Sequence, residues 1–171
     1  MTVYVALLRA INVGGTGKLP MKDLVALCVG LGFAQVRTYI QSGNVLFESS
    51  LAEQAVRRRL ETALSKRMGK RIDVCVRTAA ELRAVLKNNP FPRVAPAKIG
   101  VHFQSERVKK ELLGGVVTPG GEEVRLGKRE IYVHFPNGMG RLKLKLQANV
   151  GTMRNINTVA KLVALAGSPG T

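Results

Sequence analysis

The segment Arg9-Ala10-Ile11-Asn12-Val13-Gly14-Gly15-Thr16-Gly17-Lys18-Leu19-Pro20 holds the parts of an anion cradle. Glycine-rich backbone between a strand and a helix turns N–H groups toward a negative group, and Arg9 and Lys18 add charge. Leu19, at the expected N-cap, offers no side-chain oxygen and so leaves the first helical N–H groups open. A Walker A loop, G-x-x-x-x-G-K-[ST], would need Gly at position 12 and Ser or Thr at position 19. Asn12 and Leu19 stand there instead, so the magnesium-binding hydroxyl is missing. A surface loop whose glycines only satisfy backbone geometry is the competing account.

Two other segments concentrate polar side chains. In Thr152-Met153-Arg154-Asn155-Ile156-Asn157-Thr158, Asn155 or Asn157 is placed to cap the apolar helix that follows, and Arg154 to clamp a carboxylate or phosphate. Gln41-Ser42-Gly43-Asn44 presents amide and hydroxyl groups at a hairpin tip, where turn chemistry already accounts for Gly43 and Asn44. Nothing in the sequence supplies a base for Ser42. His102 and His134 lie in separate strand-like runs without a supporting motif and read as structural or surface residues. The acids follow no metal-ligand spacing, so neither a metal nor a cofactor is expected. Tyr4 and Phe47 occupy strand positions where RNA-reading sheets stack bases, but the accompanying glycine–aromatic signature is absent. Core packing accounts for both.

The elements that must position these groups follow from periodicity. Val3–Arg9 reads as a buried strand, and residues 20–32 as a helix with Pro20 in its first turn and Gly32 at its end. Val36–Ile40 and Val45–Glu48 form a hairpin in which Gly43 takes positive φ. Residues 51–68 form a helix with Val56, Leu60, Ala63, Leu64 and Met68 on one face, and Arg57, Arg58, Glu61 and Ser65 mainly opposite. Gly69 closes it, and Arg71–Arg77 alternates as a half-buried strand. A third helix over Ala79–Leu86 stops at Asn88-Asn89-Pro90. Ile99–Gln104 then reads as a strand, Glu106–Leu113 as a short helix, Val124–Leu126 and Ile131–Phe135 as a hairpin, and residues 156–166 as a final helix.

The order βαββαβ is ferredoxin-like, and the second half repeats it in degenerate form. The expected fold is therefore α+β: a ferredoxin-like subdomain over 1–89, a Pro-rich connection at 90–97, a second α+β subdomain over 98–167 and a frayed tail at 168–171.

With 171 residues the chain can bury a substantial core without disulfides or metals. Cys28 and Cys75 sit in apolar surroundings, outside any Cys-x-x-Cys pair, and are expected as buried free thiols. No apolar run reaches the length of a membrane span, and no signal-peptide leader stands before Val3–Leu8, which points to the cytoplasm. The net charge is +16, with 14 basic and 6 acidic residues in 1–90 and 13 and 5 in 91–171. Such a field attracts polyanions, including nucleic acid.

Three strings together are specific. They are Leu7-Leu8-Arg9-Ala10-Ile11-Asn12-Val13-Gly14-Gly15 with Lys18-Leu19-Pro20-Met21 and Leu24; Leu31-Gly32-Phe33 with Val36-Arg37-Thr38-Tyr39-Ile40-Gln41-Ser42-Gly43-Asn44-Val45; and Gly151-Thr152-Met153-Arg154-Asn155-Ile156-Asn157-Thr158-Val159 with Lys161-Leu162. The chain thereby resembles a widespread bacterial family, domain of unknown function 1697; Gly140-Arg141 with Lys143-Leu144 looks like a further signature. It departs from the family pattern at Ile156, where Trp is usual, and at Leu142, where Ser is usual. The resemblance implies ferredoxin-like repeats and no assigned activity.

The signature strings coincide with the segments singled out for their chemistry. The resulting expectation is one ligand-binding site for an anionic, phosphate-bearing molecule or nucleic acid. Arg9, Lys18, Arg37 and Arg154 would supply charge; Asn12, Gln41, Ser42, Asn44 and Asn155 polar contacts; Gly14 and Gly15 backbone donors. The alternatives are an enzyme acting on an anionic small molecule, although no catalytic motif is recognisable, and a self-association or interaction module.

Overall fold

The computed structural model describes residues 1–9, 19–39, 43–116, 118–139 and 151–167. It is an α+β protein with, among these described residues, two four-stranded antiparallel sheets and four α-helices. The chain divides into two units, Met1–Glu81 with Leu162–Thr171, and Leu82–Lys161. The expected frayed tail at 168–171 lies outside the described residues.

In the first unit the elements are β1 (Thr2–Leu8), α1 (Met21–Gly30), β2 (Ala34–Tyr39), β3 (Asn44–Ser49), α2 (Glu53–Met68) and β4 (Val74–Thr78). The strands lie in the order β2-β3-β1-β4. One face of the sheet carries Tyr4, Ala6, Leu8, Val45, Phe47, Val74 and Val76 into a core with Leu24 and Cys28 of α1 and Val56, Leu60 and Leu64 of α2. Each fully buried aliphatic side chain contributes about 1.5–3 kcal/mol, so this apolar face of the sheet sets the strand register. Tyr4 and Phe47 belong to that core, and the Tyr4 hydroxyl donates to the Leu51 carbonyl at 2.7 Å.

The ends of α1 show how local sequence fixes its place. Pro20, rather than Leu19, is the N-cap, and Leu19 is buried against the core that also holds Leu24. The apolar residue just before the cap and the one in the second helical turn thus form a hydrophobic staple, which Leu19 serves in place of the open cap expected from sequence. At the other end Gly32 has φ 87°, its N–H donates to the Val29 carbonyl, and the Phe33 N–H donates to the Cys28 carbonyl. These are the two bonds of a Schellman motif. Phe33 then lies stacked on Phe47, centroids 4.3 Å apart. Between Ala34 and Arg37 the β2–β3 register shifts, and Gln35 has φ 50°. One extra residue is accommodated there as a bulge.

β4 departs from the half-buried reading of Arg71–Arg77. It begins at Val74, and both of its faces are closed, with Cys75 and Arg77 buried opposite Val74 and Val76. The helix after it, α3 (Ala79–Lys87), starts on a capping box: the Thr78 N–H donates to Glu81 Oε1 at 2.9 Å and the Glu81 N–H to Thr78 Oγ1 at 3.1 Å.

The second unit holds β5 (Ile99–Phe103), β6 (Glu123–Leu126), β7 (Glu130–His134) and β8 (Thr152–Asn155), in the order β6-β7-β5-β8; α4 (Ile156–Gly167) begins in this unit and ends in the first. Each strand takes the sheet position of its counterpart in the first unit. Glu106–Leu113, expected as a short helix, is instead irregular up to a 3-10 segment at Lys110–Gly115; paired glycines at 114 and 115 do not sustain an α-helix. Thr152–Asn155, read from sequence as a polar segment before a helix, is the edge strand β8 paired with β5. Val108, Ile131, Val133 and Phe135 form the core on one face of this sheet.

Candidate functional site

Arg9 directly follows β1. Its N–H donates to the Asp73 carbonyl at 3.0 Å, and its guanidinium lies 3.9 Å from the Asp73 carboxylate. Arg71 reaches the same carboxylate at 3.1 Å. Arg9, Lys70, Arg71, Ile72 and Asp73 line one concavity of about 220 Å³. Two cations thus pair with one acid, and Lys70 lines the same concavity, at the end of the sheet from which the glycine-rich segment departs in sequence. Asn12, Gly14, Gly15 and Lys18 of that segment, and Gln41 and Ser42 of the hairpin, lie outside the described residues.

Arg37 and Asn44 share a sheet face. Cross-strand pairs place side chains on the same side, and the pairs Arg37–Leu46, Leu46–Val5 and Val5–Arg77 form one row across the four strands. The next row runs Tyr39–Asn44–Leu7–Cys75. Alternation along β1 turns Arg9 to the face of Leu7, so Arg9, Arg37 and Asn44 all belong to the side opposite the helices. Asn44 is fully buried there and its Nδ2 donates to the Tyr39 carbonyl at 3.1 Å, which closes the hairpin. Gly43 has the expected positive φ, 78°.

Arg77 is a residue that the sequence did not nominate. It is 0% exposed, the largest fully buried side chain among the described residues, and donates to the Val76 carbonyl. Its only sequence signal is phase: Val74 and Val76 face the helices, which sends Cys75 and Arg77 to the other side. The second unit repeats this row. Arg125–Tyr132, Tyr132–Val101 and Val101–Arg154 pair in the same order, so an arginine stands at both ends of the equivalent row in each sheet.

Arg154, 8% exposed, donates to Thr152 Oγ1 at 2.6 Å and to the Met153 carbonyl at 3.0 Å. Asn155 caps α4: its Oδ1 accepts from the Asn157 N–H at 2.8 Å. Its Nδ2 faces the carbonyls of Pro96, Ala97 and Ile99 at 3.1–3.3 Å and the Met139 sulfur at 3.2 Å. Both ends of this amide therefore hold the second unit together. Arg9, Arg37 and Asn44 belong to the first unit, and Arg154 and Asn155 to the second.

Burial displaces two titrations. It lifts the Cys28 thiol from its ordinary 9.0 to about 12. It also raises the Tyr132 hydroxyl, with the Glu130 charge adding to the effect, while that hydroxyl donates to the Val85 carbonyl at 2.7 Å. Neither group lines the concavity, and both are held neutral by the fold. Cys28 and Cys75 are buried free thiols, so native protein at pH 8 is expected to resist maleimide and to label at both only in denaturant. A raised folded pKa gives stability that is whole below the unfolded value and lost above it. The urea midpoint should thus hold up to about pH 9 and then fall, by as much as ~1.4 kcal/mol per pH unit for Cys28; Cys28→Ala removes that part and leaves the part that Tyr132 adds above its ordinary 10.0.

Among the described residues no three His, Cys, Asp or Glu side chains are grouped to hold a metal, and no helix is long and apolar enough to cross a membrane. Among solved structures the chain is similar to the conserved bacterial protein SP0830 from Streptococcus pneumoniae, with 24% identity and a TM-score of 0.78, over 96% of this chain and 98% of that one. At that identity the likeness speaks for the fold alone. No curated protein matches. The family described as "Protein of unknown function (DUF1697)" matches residues 1–132, a span that includes Arg9, Arg37 and Asn44 and ends before the strings at Gly140 and Gly151. By that match the chain belongs to the DUF1697 family.

Proposed function

We propose that the protein binds a phosphate-bearing ligand or nucleic acid at the basic end of its first sheet. The observation that carries this reading is the gathering of Arg9, Lys70 and Arg71 around one concavity with Asp73 as the single acid. The glycine-rich segment after Arg9 adds Asn12, Gly14, Gly15 and Lys18 to the reading, and the hairpin adds Gln41 and Ser42 beside Arg37 and Asn44. Arg154 and Asn155 belong to the proposed ligand residues of the second unit, though the contacts of Asn155 favour a structural role for it. The ferredoxin-like description of both units is part of the same reading; the matching strand orders and the repeated arginine rows support it. So is a cytoplasmic setting, where free thiols and nucleic acid coexist. Enzymatic action on an anionic small molecule and a self-association role draw on no comparable observation.

The test is a thermal-shift screen of nucleotides, sugar phosphates and short RNA and DNA. A ligand at a hundred times its dissociation constant stabilises the fold by about 2.7 kcal/mol. Arg9→Ala with Arg71→Ala should abolish the shift. Asp73→Asn, which removes the competing carboxylate, should raise affinity several-fold. A ligand that stabilises the double variant as well as the parent would place binding elsewhere.

A further inference from the structure

We infer that the outer face of α2 is a docking surface for the phosphate backbone of duplex DNA. This builds on the phosphate-binding reading by naming the partner, but it stands on different side chains. At 3.6 residues per turn, Arg58, Arg59, Thr62 and Lys66 fall within an arc of about 100° on α2. All four are exposed. The two acids of α2 lie off this arc. Glu61 is turned aside, accepting from the Val74 N–H at 3.2 Å and pairing with Arg57 at 3.4 Å. The flank beyond is also neutralised, where Arg67 pairs with Asp23 at 3.2 Å. Among the described residues Arg58, Arg59 and Lys66 have no acid within ion-pair distance.

A solvated helix face ordinarily interleaves both signs, with acids placed to pair at i,i+4. Here the pairing is confined to the flanks, and the crest is left with one sign. The crest has two groups of cations, Arg58 with Arg59, and Lys66. Eight residues of helix put them about 12 Å apart, close to the width of the DNA major groove. A rigid helix of that spacing can meet phosphates on both sides of a groove at once.

Two rival polyanions fit less well. Single strands are held by bases stacked on exposed aromatic rings. Seven of the eight aromatic residues here are buried, and the remaining one, Tyr39, is half-buried. An anionic membrane surface needs apolar side chains beside the cations. The large apolar residues of α2 turn into the core, with Val56, Leu60 and Leu64 fully buried and Met68 partly so, and the exposed large hydrophobics of the described chain are Met1, Val29 and Leu113.

The experiment is fluorescence anisotropy of full-length protein with a mixed-sequence duplex of about 20 base pairs, two turns of B-DNA, between about 50 and 200 mM salt. Removing three phosphate contacts should reduce the log–log salt slope by roughly 2–3. Arg58→Ala/Arg59→Ala/Lys66→Ala should do so and weaken low-salt binding at least tenfold. Alanine is favourable at exposed helix positions, so the fold is kept; the corresponding triple Gln variant and a thermal melt of each check this. Arg107→Ala/Lys109→Ala/Lys110→Ala removes the same charge from the second unit and should change binding less than threefold. The surface is overturned if both triple variants lose binding equally, if the α2 variant binds like the parent, or if single strands or phosphatidylserine vesicles bind as tightly as the duplex. Arg9→Ala/Arg71→Ala separates the two ideas. If it loses mononucleotide binding while the α2 variant keeps duplex binding, the concavity stands and the α2 surface falls. Loss of duplex binding in the α2 variant, with no effect of the concavity variant on any phosphate ligand, gives the converse.

Discussion

Gly151→Ala is expected to destabilise the protein by about 3–5 kcal/mol, the range of backbone strain combined with a buried clash. Gly151 has φ 107°, where an L-residue is strained, and an added Cβ would run into the Phe103 carbonyl oxygen and come within 2.8 Å of His102 Nε2. The first obstacle is backbone and cannot turn aside, and His102 is a buried side chain. Phe103 is the last residue of β5 and pairs with Thr152, the first of β8, so relief would require peeling one strand from the other. That strand carries Arg154 and Asn155. Urea denaturation followed by circular dichroism measures the loss. Gly114→Ala, where no atom lies within 4 Å of the added carbon, should stay within about 0.5 kcal/mol of the parent. A loss below 1 kcal/mol at Gly151 would mean that the junction yields easily.

Asn155→Ala should cost about 2–3 kcal/mol. The cap on α4 accounts for about 1 kcal/mol of this. The remainder is the Nδ2 donor facing the Pro96, Ala97 and Ile99 carbonyls, which fastens the proline-containing connection to the edge strand. Asn155→Asp separates the two contributions. It keeps the Oδ1 acceptor for the Asn157 N–H but sets a carboxylate oxygen against three carbonyls, and should be at least as destabilising as the alanine. If stability held in Asn155→Ala while phosphate binding fell, the residue would return to the ligand set.

The first unit was largely legible because its signals are local. Strand alternation, the helical face Val56, Leu60 and Leu64, and Gly32 at a helix end each speak within a few residues. β8 was not legible, since Thr-Met-Arg-Asn offers neither an apolar run nor alternation, and only pairing with β5 makes it a strand. Arg77 was hidden for a related reason. Its phase on β4 could be read, but closure of the second face depends on what the rest of the chain supplies. The pairing of Arg9 with Asp73 spans most of the first unit and is created by the β1–β4 register, which no short window contains. That Arg57, Arg58 and Glu61 lie on the polar side of α2 was legible; that Arg57 turns to Glu61 while Arg58 and Arg59 stay on the crest was not. Asn155 was legible as a cap, and its second set of bonds, to residues over fifty positions away, was not.

The bulge at Gln35 bears on how this chain tolerates changes in length. Phe33, fixed by the end of α1 and stacked on Phe47, and Val36 both face the helices, while Ala34 and Arg37 face the other way, with Gln35 as the surplus between them. Excising Gln35 restores simple alternation, turns no neighbour over and removes a positive φ. A one-residue deletion within β1 or β3 instead inverts every side chain beyond it. Indels in related chains should therefore gather at this one point of the first sheet, and a natural sequence shorter by one residue there can keep Arg37 on its present face.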